Sequence, residues 1–258
     1  MKKPALYLLK IGGKVLDDAV LLKELLNDFA AMNQPKILVH GGGQQASRLS
    51  RSLGIEPKMH QGRRITDTAS LEVATMVYAG LLSKNIVATL QSFDCPAVGL
   101  SGADGNTLLA GKRPAGEVDF GWVGDVKKVD TRLPRKLLES GMTPVFCAIT
   151  HDGKGQLFNT NADTIACRLA IALAPYYHLK LVYCFEKPGV LRSPENDESI
   201  IELLTLADYH RYKEEGIIQG GMLPKLDNAF MALENEVAEV VIGNPDSLKL
   251  GRGTFLQR

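Results

Sequence analysis

Residues 38–47 read LVHGGGQQAS, three consecutive glycines directly after an apolar run and directly before residues able to open a helix. A buried strand that ends in glycines and resumes as a helix is the building unit of an α/β fold. In such folds ligands bind outside the carboxyl ends of the strands, which is where these glycines sit. What approaches the backbone there is not decided by the stretch itself. A phosphate cradle, a dinucleotide site and a tight turn needing positive φ all remain open.

Outward from this stretch the same rhythm repeats. The apolar runs 5–9, 36–39, 96–100, 143–149, 180–184 and 239–242 predict buried strands. Leu21, Leu22, Leu25, Leu26 and Phe29 fall at helical spacing, as do Leu71, Val73, Ala74, Val77 and Leu81. Residues 162–174 and 222–234 also read as helices, the second with Pro224 tolerable in its first turn. Strands alternating with helices predict an α/β fold of three layers, an αβα sandwich around a mainly parallel open sheet. Residues 54–66 and 104–129 break the rhythm with polar and apolar residues alternating between glycines, which predicts hairpins laid over one edge of the sheet. No linker divides the chain, so residues 1–258 read as one domain, with a soft boundary near residue 176 between two lobes.

Composition narrows the function. The 258 residues carry 30 basic and 29 acidic side chains, a net charge of +1, which offers no global field to nucleic acid or to an anionic membrane. Any anion must be recognised locally. The first ten residues, MKKPALYLLK, have too short an apolar run for a signal peptide and read as a first strand. Apolar residues nowhere run uninterrupted for the ~18 positions of a membrane span. Cys95, Cys147, Cys167 and Cys184 lie far apart without zinc spacing, so they read as buried thiols of a reducing, cytoplasmic compartment; no protein metal site is expected.

Two glycine turns bear the chemistry. KIGGK places Gly12 and Gly13 just past the first strand, and HGGG places Gly41, Gly42 and Gly43 just past the second. GGGQQA also satisfies GxGxxG/A, which keeps a Rossmann oxidoreductase in view, although that fingerprint belongs to a first strand with an acid closing the second. The P-loop pattern GxxxxGK[ST] is absent. Lys10, Lys225 and Asp163 each stand beside a strand end or helix start. Two ammonium groups with main-chain donors suit the charge spread over a phosphoryl group in flight, and one carboxylate between them suits holding both.

The ordered set KIGGK, HGGG, GRRITD, VGLSGADG, GWVGDV, FNTNAD, PGVL and GGMLPK resembles the amino acid kinase family over nearly the whole chain. The stretch LGIEP to GRRITDTASLEVATMVYAGLLSK is similar to its N-acetylglutamate kinase (acylglutamate kinase) branch. That resemblance implies ATP-dependent phosphorylation of the γ-carboxylate of an N-acylglutamate, N-acetyl-L-glutamate foremost, to an acyl phosphate in the second step of arginine biosynthesis. It implies that Lys10 and Lys225 flank the migrating phosphoryl group and that Asp163 orients both. Gly12, Gly13, Gly42 and Gly43 would donate N–H groups to phosphate and acceptor carboxylate. Arg64 would clamp the acceptor α-carboxylate, with Asn159 and Asn161 completing that pocket. Gly189, Gly221 and Met222 join the glycines and lysines on the nucleotide side, in a lobe 177–258. Residues 1–176 would bind the acceptor and dimerise. Mg2+ would arrive on ATP, held by phosphate oxygens.

Several residues depart from the family pattern. VYCFEKPGVL (182–191) has Cys184, Phe185 and Glu186 where polar residues near the nucleotide are usual, and QQAS replaces a proline and an asparagine after the glycines. Arg63 stands beside Arg64 where leucine is common, which raises N-succinylglutamate as an alternative acceptor. A short N-terminal segment implies a homodimer without arginine feedback. A ligand-binding regulator that kept the fold without turnover is the competing function.

Overall fold

A computed structural model describes residues 3–60 and 62–258. The chain begins β1 (Ala5–Ile11), α1 (Ala19–Ala30), β2 (Lys36–His40), α2 (Gly43–Ser52). A small hairpin follows, β3 (Met59–His60) with β4 (Arg63–Arg64), then one helical rod: α3 (Thr68–Thr75), a π-helical segment (Met76–Leu82) and α4 (Ser83–Gln91). Next come β5 (Ala97–Leu100), β6 (Leu108–Lys112), β7 (Gly124–Val129), α5 (Arg132–Glu139), β8 (Thr143–Cys147), β9 (Ile149–His151) and β10 (Leu157–Asn159). The chain then runs α6 (Ala162–Leu173), β11 (His178–Cys184), β12 (Leu203–Thr205) and α7 (Leu206–Glu214). It closes with α8 (Met222–Glu234), β13 (Glu239–Gly243), α9 (Pro245–Lys249) and β14 (Thr254–Gln257).

Eight strands form the main sheet in the order β12-β14-β13-β11-β1-β2-β8-β5. The six strands from β13 to β5 are mutually parallel, and β14 pairs antiparallel with β13. Alternation along each strand divides the core between the two faces. Leu6 and Leu8 of β1 join Ile37, Val39, Leu179 and Leu181 in a cluster with α6 and α8, while Leu9 and Ile11 join Leu38 and Val182 in a second cluster with α1 and α4. Helices on both faces make the three layers that the alternation of elements predicts.

The insertions fold as hairpins, and the second one grows. β6 and β7 pair antiparallel, then β9 and β10 join them in a separate sheet of order β10-β9-β6-β7. The bridge from Thr66 to Gly121 ties the segment before β7 to the residues before the rod, and the bridge from Val123 to Asn159 joins that segment to the end of β10, just before α6.

One helical expectation fails. Leu81 shares the periodic face of Leu71, Val73, Ala74 and Val77 in the sequence, yet it is 54% exposed, and Tyr78 and Leu82 are buried instead. The π-helical turn widens the helix between these residues, so the 3.6-residue period does not carry through it. The rod Thr68–Gln91 is long and apolar enough to cross a bilayer on length and composition, with a mean hydropathy of 1.4 in its most apolar window. Its apolar side chains instead meet α1, α2, β5 and β8 in the core.

Candidate active site

β1, β2 and β11 end side by side, so Lys10, the His40–Gly43 turn and the residues after Cys184 emerge together. Lys10 points to the face of β1 that α6 covers. α6 begins with Asn161 as its cap, whose side-chain oxygen accepts from the Asp163 N–H at 2.7 Å and from the Thr164 N–H at 3.3 Å. Asp163 thus stands in the first turn, where the helix dipole favours an anion. Lys10 Nζ lies 2.7 Å from Asp163 Oδ1, and Lys225 Nζ, from the first turn of α8, lies 3.1 Å from Asp163 Oδ2. The three residues are only 6%, 9% and 8% exposed for Lys10, Asp163 and Lys225, so their charges act with little screening.

Burial by itself raises the Asp163 carboxyl, but the two ammonium groups outweigh it and hold the group down to about 2. Burial pulls Lys225 below the ordinary lysine value of 10.5; the Lys10 charge adds to that, while Asp163 and Glu186 oppose it. One carboxylate shared by two cations leaves this cluster with a net positive charge, a ready counter-charge for an anion.

Lys10 and Asp163 form part of the wall of a cavity of about 660 Å³, which Gly12, Gly13, Gly41, Gly42, Gly43, Arg64, Asn159 and Asn161 also line; Lys225 stands just behind it, its neighbour Pro224 reaching the wall. The glycines are there for different reasons. A Cβ on Gly12 would collide with the Lys10 ammonium. Gly42 has φ +145 and a Cβ there would strike Leu82 and the Tyr78 ring, so the fold itself demands glycine. Gly41 would meet only Ala162 Cβ at 3.7 Å, and Gly43 would meet nothing within 4 Å. Of the three glycines in the opening stretch, Gly42 alone is required by packing. α2 starts at Gly43 with no side-chain cap, leaving its first N–H groups to the cavity as a local anion site.

Arg64 is held before any ligand arrives: its guanidinium donates to the Gly43 carbonyl at 2.8 Å and to Ser47 Oγ at 2.6 Å. Asn159 Nδ2 donates to Thr66 Oγ1 at 3.0 Å, and Asn161 spends its oxygen on the α6 cap, so its amide nitrogen is the part left for a ligand. Arg63 and Arg113 border the same cavity; Arg113 is fixed by bidentate bonds to Asp125, Nη2 to Oδ1 at 2.6 Å and Nε to Oδ2 at 3.3 Å. Gly189, Gly221 and Met222 are not on the cavity wall. Gly189 is buried where a Cβ would press on Thr254 and Ile200, and Gly221 and Met222 open α8 ahead of Lys225.

Sequence reasoning did not assign Tyr183 or Phe185 to the site, although both rings face Lys225, their centroids 5.4 and 5.5 Å from its Nζ. The departure of 184–186 from the family pattern was the available signal. Glu186, from the same stretch, sets its carboxylate against Gly13.

Against this geometry, a model of the amino acid kinase family matches residues 5–244. The chain belongs to the amino acid kinase family. Within it, the chain is 50% identical over 253 residues to an acetylglutamate kinase of Bacteroides thetaiotaomicron, covering 98% of both chains. Among solved structures it is similar to the crystal structure of smu.665 from Streptococcus mutans, with a TM-score of 0.80, 24% identity and 98% of each chain covered. It also matches N-acetylglutamate synthase from Neisseria gonorrhoeae complexed with coenzyme A and N-acetyl-glutamate, with a TM-score of 0.83 and 25% identity. That match covers 98% of this chain and 59% of the synthase. Amino acid kinase membership removes the Rossmann oxidoreductase, and the GGGQQA turn accordingly follows the second strand rather than the first.

Proposed function

We propose that this protein is an ATP-dependent acetylglutamate kinase, transferring the γ-phosphoryl group of ATP to the γ-carboxylate of N-acetyl-L-glutamate, with N-acetylglutamyl phosphate and ADP as products. The observation that carries the reading is the meeting of Lys10 and Lys225 on one buried Asp163 beside two glycine turns. The full-length relatives named acetylglutamate kinase support the acetyl acceptor over the succinyl one. They also support a place in amino-acid biosynthesis, as the second step towards arginine.

In this reading the acceptor brings its own nucleophile. A glutamyl γ-carboxylate, with an ordinary pKa of ~4.3, is ionised near neutral pH and needs no general base. Asp163 is suited to orientation and not to proton transfer, since a carboxyl held at about 2 keeps no proton to move. Lys10 and Lys225 neutralise the equatorial oxygens of the transferring group, and Gly13, Gly42 and Gly43 supply N–H groups to phosphate and carboxylate. The Gly12 N–H, expected to join them, is instead bound to the Cys184 carbonyl at 3.1 Å, so Gly12 serves by leaving room for the Lys10 ammonium. Arg64 takes the α-carboxylate through its planar fork, with Asn159 and Asn161 beside it. Residues 1–176 form the acceptor lobe, and 177–258, with Gly189, Gly221 and Met222, the nucleotide lobe. Mg2+ enters on ATP; no cluster of three His, Cys, Asp or Glu offers it a cage among the described residues, and Glu186 beside Gly13 is a hard oxygen ligand of the type it accepts.

The rod that exposes Met76 and Leu81 supports pairing of two copies into a homodimer, and the four buried free thiols suit the reducing cytoplasm. The deciding experiment is ATP-dependent hydroxamate formation from N-acetylglutamate in the presence of hydroxylamine, which traps an acyl phosphate. Absence of hydroxamate with every acylglutamate tried would leave the non-catalytic regulator as the reading.

A further inference from the structure

We propose that Tyr183 and Phe185 are positioning residues, a two-walled aromatic seat that holds the Lys225 ammonium for phosphoryl transfer. The inference rests on the role given to Lys225 above. Tyr183 and Phe185 are two positions apart on and just past β11, so both rings project from the same side towards α8. Their centroids lie 5.4 and 5.5 Å from Lys225 Nζ, inside the range at which a ring face attracts a cation. Neither ring is free to wander. Tyr183 is fully buried and its hydroxyl donates to the Asp163 carbonyl oxygen at 3.2 Å; Phe185 is 7% exposed, and its N–H donates to the Gly243 carbonyl at 3.1 Å.

The need for such a seat follows from where Lys225 stands. It is buried, it faces the Lys10 ammonium, and it sits in the first turn of a helix, where the dipole opposes a cation. Asp163 offers one negative charge to two lysines, and Glu186, which also favours the charged Lys225, is exposed to solvent. A second buried carboxylate would cancel the cluster's net charge and repel the incoming triphosphate. An aromatic face attracts the ammonium at short range through its quadrupole and adds no net charge, so the cation is held and still available to phosphate. Phe185 supplies the second wall.

The test replaces Phe185 by mono-, di- and trifluorophenylalanine, which keep the ring's shape and progressively weaken its quadrupole. The single-turnover rate of phosphoryl transfer should fall stepwise with fluorine number, roughly tenfold in total, with Tm and the acceptor KM unchanged. Phe185→Tyr should keep the wild-type rate. Tyr183→Phe, which retains the ring, should keep it as well. A rate that is flat across the fluorinated series overturns the proposal, as does a loss in Tyr183→Phe as large as that series, because the hydroxyl and not the ring would then matter. Lys225→Met separates the two readings: full activity in that variant ends the role of Lys225 itself, whereas an inactive Lys225→Met with a flat fluorinated series ends only the aromatic seat.

Discussion

Lys10 Nζ lies 2.7 Å from Asp163 Oδ1, although one residue leaves the first strand and the other opens the sixth helix. Lys225 reaches the second oxygen of the same carboxylate. A buried acid with two cations is a closed arrangement: each member is tolerable in the interior because the others are there.

Asp163→Asn should therefore damage the fold as well as the chemistry. It leaves two buried ammonium groups without a counter-charge, a loss of about 3–5 kcal/mol for a broken buried pair, readable by urea denaturation. The wild-type carboxyl is depressed from 3.8 to about 2, so its contribution is complete above 3.8 and fades as pH falls towards 2. An Asn variant as stable as wild type at pH 7 would contradict the closed arrangement.

Lys225→Ala should lower kcat by more than ~100-fold with a smaller change in KM, because its charge acts mainly on the transition state. Arg64→Ala should chiefly raise the acceptor KM. Steady-state kinetics on both variants decide the matter; exchanged patterns would mean the roles are misassigned. The lowered pKa of Lys225 adds an alkaline limb to kcat/KM that begins below 10.5, since deprotonation removes the charge; activity constant up to that pH would contradict it.

The glycines divide into structural and ligand-facing. Gly42→Ala forces a Cβ into Leu82 and Tyr78 at φ +145 and should cost about 1–3 kcal/mol or more of stability. Gly43→Ala meets open space at an ordinary backbone angle; Tm should stay within a degree or two of wild type while the acceptor KM rises. Equal loss of Tm in the two variants would show that Gly43 is also a packing glycine.

His40 is wholly buried at the end of β2, its Nδ1 bonded to the Gly41 carbonyl at 2.9 Å and its Nε2 without a partner among the described residues. Burial holds it down to about 4 from 6.5, only partly opposed by the Gly41 bond. The folded state thus resists protonation, and stability should drop by up to about 3 kcal/mol as pH falls from 6.5 to 4. Unfolding free energy measured across that window should be flatter in His40→Leu. Parallel curves for the two proteins would assign the acid sensitivity to other groups.

The parallel sheet was legible because continuous apolar runs such as KILV and KLVYC need burial on both faces, and only a layered α/β fold provides it. The hairpins were legible from glycine-bounded alternation, but the pairing of β6 with β9 was not, since a contact between segments distant in sequence leaves no local periodicity. Leu81 was misplaced for a related reason: a π-helical turn changes the period without a residue that announces it.

Local chemistry determined the six parallel strands, the starts of α6 and α8, the two glycine turns and the residue types able to neutralise phosphate. It did not reveal β12 and β14 at the sheet edge, and it ran 143–149 as one strand where β8 ends at Cys147 and β9 enters the other sheet. What the tertiary structure alone decided was that Lys10, Asp163 and Lys225 share one point, that Gly42 is the packing glycine of its trio, and that two aromatic rings back Lys225. Side-chain type and spacing act over a turn or a strand, whereas Coulomb attraction, steric contact and π-face contact depend on distances that exist only once the chain has closed on itself.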